Sequence, residues 1–337
     1  MTEGRIVKPL AVFIVVLVAI LATTFLLGAV GLGTSGAPDG ESINGQSPPQ
    51  YQPDVVTVPV DPEDGEISID TDATNEQILI DTEHDNQVSQ SELEPTTEAV
   101  FDAGHSIDYG LSDNETFADS LDQYAGVLIV QPLSSYSSAE REALREYTER
   151  GGRVVILAEP TQTQTSLGGG QSATTVSFGA TDLVKQYGLR VGAEQIYNVN
   201  DESNDNNFKS VYASPADESD LTAGVETVTF DTAGYVITNT DAERKFTAVE
   251  GTRTLETRRP VTRPTAVRHD NVVFVADSTF ITQSEVYDAD NEVFIGNLLE
   301  FLLGGGMPSN NDNSGTQNGT APERIGLSAG DSPTLPG

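Results

Sequence analysis

The fold class this sequence predicts is an α/β domain: a parallel sheet with flanking helices and a small antiparallel β insertion, preceded by one transmembrane helix. Three observations carry it. Apolar runs of strand length alternate with helical patterns between Gln77 and Gly304. Two of those runs, residues 126–131 (GVLIVQ) and 153–158 (RVVILA), are almost uniformly apolar, as strands covered on both faces must be. Residues 10–32 (LAVFIVVLVAILATTFLLGAVGL) hold no charge, and at about 1.5 Å per residue they make about 34 Å of helix against a hydrocarbon core of about 30 Å.

Arg5 and Lys8 precede that span and Asp39 and Glu41 follow it, so residues 1–9 are expected in the cytoplasm and the C-terminal domain outside the cell membrane. The run is longer than the apolar core of about 7 to 15 residues in a cleaved leader, which favours an uncleaved signal anchor. Residues 33–54, rich in Gly, Pro, Ser and Gln, read as a flexible linker, and residues 307–337 as a disordered acidic tail. The extracytoplasmic α/β domain is then 55–306.

Within it, residues 77–81 (QILID) are the first strand. A helix over 91–103 follows, with Leu93, Thr97, Val100 and Phe101 on one face, a Ser91-x-x-Glu94 capping box, and Pro95 in its first turn. Residues 105–109 and 126–131 give the next two strands. Ser137-x-x-Glu140 caps a helix whose inner face carries Ala143, Leu144 and Tyr147, and Gly151-Gly152 stop it before the strand at 153–158. A Gly- and Thr-rich loop over 161–175 leads to a helix at 178–187. From 194 to 263 the pattern shortens to alternating segments (226–230, 235–238, 246–249), a β-rich antiparallel insertion or extension. A hairpin of 265–268 and 272–276 turns at Asp270-Asn271, and a packed helix over 291–303 closes the domain.

Composition removes several function classes. Acidic residues number 52 against 17 basic ones, a formal charge of -35, and nucleic acid is excluded as a partner because no basic face exists to neutralise phosphates. There is no Cys, hence no disulfide, thiolate metal site or cysteine nucleophile. An acidic coat with only four lysines resembles the proteins of halophilic archaea, since the Debye length falls from about 10 Å at 0.1 M salt to about 3 Å at 1 M and self-repulsion falls with it.

The segments GVLIVQP, SSAEREALREYTERGGRVVILAEP and NVVFVADSTFITQSEVYDADNEVFIGNLLEFLL, in that order, carry a resemblance. Together they resemble the haloarchaeal membrane-anchored domain-of-unknown-function family 4350 and, more broadly, the auxiliary components of gliding-type ABC transporters. Both are similar in fold to class I glutamine amidotransferases, so the resemblance implies a flavodoxin-like sheet. It does not imply glutaminase chemistry, which needs a cysteine nucleophile that this chain lacks.

In an open parallel sheet, ligands bind beyond the carboxyl ends of the strands. Those ends offer a ligand-binding set of Asp81, Glu83, His84, Gln131, Glu159, Asp277 and Ser278. Glu159 falls roughly where an amidotransferase nucleophile would stand; with Asp277 it is a candidate catalytic carboxylate, or else an acceptor for neighbouring backbone amides. Asp277 equally suits a turn cap. Arg253, Arg258, Arg259, Arg263 and Arg268 form a cluster that binds an anionic partner or pairs with the acidic coat. No metal site and no cofactor are expected. The function expected is a binding or scaffold module of a transporter or other membrane complex, an amidotransferase-like pseudoenzyme. The alternatives are a carboxylate-dependent hydrolase and a carbohydrate or solute receptor using the strand-end pocket.

Overall fold

The computed structural model describes residues 64–111, 115–166 and 172–305. The expected signal anchor at 10–32, the linker at 33–54 and the tail at 307–337 lie outside the described residues. Among the described residues no helix is long and apolar enough to cross a membrane.

The chain begins with β1 (Gln77–Ile80), α1 (Glu94–Asp102), β2 (Ser106–Tyr109), the short α2 (Phe117–Ser120) and β3 (Gly126–Val130). It continues with α3 (Ser138–Glu149), β4 (Arg153–Leu157), a hairpin of β5 (Gln162–Ser166) and β6 (Ser172–Val176), and α4 (Thr181–Gln186). Short strands follow: β7 (Leu189–Val191), β8 (Ile196–Tyr197), β9 (Ser210–Pro215), β10 (Val228–Asp231), β11 (Val236–Thr238), β12 (Glu243–Ala248) and β13 (Arg253–Thr254). Last come β14 (Pro264–His269), β15 (Val272–Val275) and α5 (Asn291–Leu303).

Nine strands make one sheet in the order β10-β9-β12-β14-β15-β4-β3-β1-β2. From β2 to β15 all neighbours are parallel, and from β15 to β10 all are antiparallel. Counting the parallel strands along the chain, the order is 2-1-3-4-5, the flavodoxin-like arrangement. The antiparallel part is larger than a small insertion. Strands β9, β10 and β12 continue the main sheet because β14 offers them a free hydrogen-bonding edge, and a period of two reads the same in a separate hairpin and in an extension.

The central strands β1, β3, β4 and β15 alternate between two cores. Ile78 and Ile80, Leu128 and Val130, and Val155 and Leu157 face one side, where Phe294, Ile295, Leu298 and Leu302 of α5 and Val100 of α1 pack. Leu79, Val127, Ile129, Val154 and Ile156 face the other, against Leu144 and Tyr147 of α3 and Leu183 and Val184 of α4. The uniformly apolar strands are thus the middle layer of three.

Local signals explain most boundaries. Ser137 accepts from the Glu140 amide at 3.3 Å while the Glu140 carboxylate accepts from the Ser137 amide at 2.6 Å, the reciprocal box expected for α3. Helix α1 starts at Glu94, later than expected, and has no side-chain cap. The reciprocal pair sits a turn ahead of it, where the Ser89 amide donates to Glu92 at 2.7 Å and the Glu92 amide to Ser89 Oγ at 3.4 Å. Leu93, Thr96, Thr97 and Val100 form its buried stripe, and Phe101 lies round the helix with 52% of its surface exposed. The stretch expected as a Gly- and Thr-rich loop forms the β5–β6 hairpin instead, since β-branched Thr favours extended backbone.

Candidate functional site

Strands β2 and β3 lie on opposite sides of β1, so the carboxyl ends of β1 and β3 flank the topological switch point of the sheet. There Asp81, 1% exposed, accepts a hydrogen bond from the Tyr136 hydroxyl at 2.5 Å and meets His84 Nδ1 at 3.0 Å. The His84 ring stacks on the Tyr136 ring at 3.5 Å, and its Nε2 lies 3.7 Å from Glu140. Burial lowers the His84 pKa, but the Asp81 hydrogen bond and the Asp81 and Glu140 charges outweigh it and leave it above the usual 6.5. Burial and Asp81 push the Tyr136 hydroxyl well above its ordinary range, so it remains a donor. The arrangement clamps the β1 loop to the first turn of α3. His84 is committed to carboxylates on both nitrogens and leaves none for a serine.

A second cluster lies beyond β4 and β15. Glu159 Oε1 accepts from the Ser278 amide at 2.6 Å and the Ser278 hydroxyl at 2.7 Å, and Gln162 Nε2 reaches Oε2 at 3.3 Å. Asp277 accepts from the Thr279 amide at 2.8 Å and the Phe280 amide at 3.0 Å, the turn-capping role weighed from the sequence. Both carboxyls are buried. Burial pushes Glu159 up to about 7 against the lowering effect of its Ser278 bonds, with the Asp231 charge adding to the rise. Burial first and the Glu159 charge second push Asp277 well above the usual carboxylate range. Among the described residues neither is in a salt bridge with a Lys or Arg.

Gln131 ties the loop that follows β1 to the second cluster. Its backbone amide donates to Leu157 O at 2.9 Å, its carbonyl accepts from Gln87, and its Oε1 accepts from the Glu159 amide at 2.7 Å. It also has a positive φ of 37°. Gln131, directly after β3, thus sits at a strained strand end. A carboxamide there cannot act as a nucleophile. A recess of about 190 Å³ opens beside this cluster, lined by Glu92, Glu159, Gln162, Thr232, Ser278 and Thr282 among others.

The structure brings Gln131, Glu159 and Ser278 into direct contact and sets Asp277 beside them; it joins Asp81 to His84. Glu83 is exposed, and only its backbone amide touches Asp81. The five arginines do not form one patch. Arg253, Arg258, Arg259 and Arg263 are exposed on and around the loop before β14, whereas Arg268 lies at the far end of β14, about 16 Å along at about 3.3 Å per residue. There it stacks over Phe301 at 5.1 Å, on the ring that Arg153 also approaches at 4.9 Å. Sequence reasoning missed Tyr136, Glu140 and Gln162 as site residues, and it missed Asp231 and Glu285 altogether. Burial raises Asp231, and burial together with Asp288 raises Glu285 to about 8. Tyr136 had one readable signal, an aromatic just ahead of a capped helix start. Asp231 had none, since it reaches the site only through the strand order of the extension.

These features define a class: a doubly wound α/β domain whose strand-end chemistry rests on buried carboxylates and a carboxamide, without cysteine. The model of the ABC-transporter auxiliary family, described as an ABC-type uncharacterized transport system, matches residues 83–270, more than half of the chain, and the chain belongs to that family. Among solved structures it is similar to the mmIFT52 N-terminal domain, with a TM-score of 0.52 and 12% identity over 67% of this chain and 97% of that one. That likeness concerns the fold alone. A ThuA-like protein from Bacteroides uniformis aligns with a TM-score of 0.42 and 13% identity over 71% of this chain and 95% of that one, too low a score to add to the fold argument. None of the curated proteins matches the sequence.

Proposed function

We propose that the chain is an auxiliary binding module of an ABC-type transport system, anchored by residues 10–32 in the cell membrane of a halophilic archaeon with its α/β body outside. The observation that carries this reading is the match of residues 83–270 to the transport-auxiliary family. The charge of -35 and the apolar run before Asp39 support the halophilic and anchored setting. The 2-1-3-4-5 strand order, without any Cys, supports an amidotransferase-like ancestry close to family 4350 and a body that binds rather than cuts. In this reading the strand-end recess holds the ligand. The exposed guanidiniums of Arg253, Arg258, Arg259 and Arg263 meet an acidic face of the transporter.

The test is isolation of the tagged full-length chain from native membranes at molar salt. ABC permease and ATPase subunits are expected in near-stoichiometric amounts, and less of them when the four arginines become Gln; absence of ABC subunits overturns the reading. Orientation is tested by adding protease to intact cells, where survival of the C-terminal body would count against an external location. One observation favours a hydrolase instead, the Glu159 carboxyl held near 7, where it can both give and take a proton. Its test is turnover of ester and glycoside substrates that Glu159→Gln abolishes.

A further inference from the structure

His84 is 5% exposed, and both nitrogens of its ring meet a carboxylate: Nδ1 stands 3.0 Å from Asp81 at the end of β1, and Nε2 stands 3.7 Å from Glu140 in the first turn of α3. A neutral imidazole has one N–H and one lone pair, so only the doubly protonated ring offers a hydrogen to each of the two. In the neutral ring one nitrogen turns its lone pair towards a carboxylate. Nδ1 reaches both Asp81 oxygens, at 3.1 and 3.0 Å, so the neutral ring keeps its N–H there and gives up the longer contact with Glu140. The other groups against the ring are the Tyr136 phenol, stacked at 3.5 Å, and Phe117 of α2 at 5.9 Å, neither of them charged. Among the described residues no Lys or Arg is in a salt bridge with Asp81 or Glu140, which leaves the imidazolium as their cation.

The segment 82–92, which leads from His84 towards α1, forms one wall of the strand-end recess through Gln87, Val88 and Glu92. Besides the His84 ring it has few anchors. The His84 carbonyl accepts from the amides of Leu133 and Ser134, the Ser134 hydroxyl donates to Asp85, Asn86 Nδ2 donates to Val130 O, and the Gln87 amide donates to Gln131 O. The contact of the ring with Glu140 is the one that turns from attraction to repulsion when a histidine loses its proton. We propose that His84 is a pH-sensitive latch: with both ring nitrogens protonated it ties segment 82–92 to the first turn of α3 through Glu140, and loss of one proton releases that tie and loosens the wall of the recess. The closed form persists above the usual 6.5 because, although burial lowers the pKa, the Asp81 hydrogen bond and the Asp81 and Glu140 charges outweigh it. The bearing of the latch on ligand binding rests on the reading of the recess as the ligand site.

The experiment follows the full-length chain in detergent, at fixed salt, between about pH 5 and about pH 9. The chain has three histidines, so NMR of histidine-labelled protein, with His84→Gln to assign the signal, gives the His84 midpoint. Hydrogen exchange followed by mass spectrometry and corrected for the intrinsic effect of pH gives the protection of residues 82–92 and of the Leu133 and Ser134 amides. Exchange there is expected to quicken about tenfold as pH rises through the His84 midpoint, while the amides of α5 keep their protection. Gln at position 140 preserves the capping box with Ser137 and removes the charge, so Glu140→Gln is expected to lower the His84 midpoint and abolish the step in exchange. A step that is absent, runs the other way, falls away from the His84 midpoint or survives unchanged in Glu140→Gln overturns the proposal. The coincidence of step and midpoint is read on the unaltered protein and decides the matter if the variant does not fold. Co-isolation of ABC subunits is scored separately: its persistence without a step removes the latch alone, and its loss with the step intact removes the transport reading and leaves the latch.

Discussion

Replacing Glu159 with Gln tests whether burial, rather than hydrogen bonding, dominates the strand-end site. The Glu159 carboxyl is pushed from the usual 4.5 up to about 7 by burial, although Ser278 holds Oε1 with two hydrogen bonds. A carboxyl whose pKa is raised on folding contributes stability that is full below the unfolded value and is lost as pH rises through the folded one. At about 1.4 kcal/mol per pH unit of separation, the loss between about pH 4.5 and 7 is about 3 kcal/mol. Gln keeps the oxygen that accepts from Ser278 and removes the charge, at a cost of about 1 kcal/mol for exchanging charged for neutral hydrogen bonds. The variant should therefore be more stable than the unaltered protein by about 2 kcal/mol near pH 8 and slightly less stable near pH 5. Because the Glu159 charge is one cause of the rise at Asp277, the variant should also show a shallower dependence on pH overall. Urea denaturation followed by far-UV circular dichroism at constant salt measures both. Parallel stability curves for the two proteins from about pH 5 to 8 would refute the argument.

Other substitutions probe the rest of the structure. The pKa of His84 is raised on folding, so its contribution is full below the usual 6.5 and fades as pH rises past it; His84→Gln should flatten that part of the stability profile, which the His84 ring signals in an NMR titration would also trace. Tyr136→Phe deletes the hydroxyl that donates to buried Asp81 and should cost about 1 to 3 kcal/mol in chemical denaturation, while a loss under about 0.3 kcal/mol would mean that the hydroxyl is not needed there. Gly179→Ala would drive a Cβ into the backbone of Leu133, the residue whose amide holds the His84 carbonyl, and should cost about 1 to 3 kcal/mol and broaden the His84 ring signals. Leu298→Ala, at the centre of α5, should cost about 2 to 5 kcal/mol by thermal or urea unfolding.

The parallel half of the fold is legible because its signals are local and agree with one another. The run from Ser137 to Leu157 carries a capping box, an apolar helix face, a double-Gly stop and a strand buried on both sides, and the structure reproduces each. The hairpin turning at Asp270, which adopts a φ of 51°, is legible for the same reason. Pairing that depends on distant edges is not. Nothing in residues 228–231 says that they lie at the rim of a nine-stranded sheet, so Asp231 could not be placed near Thr279, whose hydroxyl donates to its carbonyl at 3.2 Å. The strand-end rule found Asp81, Gln131, Glu159 and Asp277 because it needs only the order of elements. It did not find Tyr136 and Glu140, which come from the start of a helix, nor separate Arg268 from the other arginines, which requires knowing that β14 runs away from them.

The strand order also has a consequence for how the chain comes to be folded. Of the two parallel neighbours of β4, β3 precedes it and β15 comes much later, with the whole antiparallel extension between β4 and β15 in sequence. As the polypeptide is synthesised, β4 therefore waits as an open edge, its apolar side chains uncovered on one flank, until residues 272–303 arrive to supply both the missing strand and the helix over it. Such late closure ties the survival of the half-built sheet to the last stretch of the body, so a product ending before β15 should aggregate rather than settle into a smaller domain.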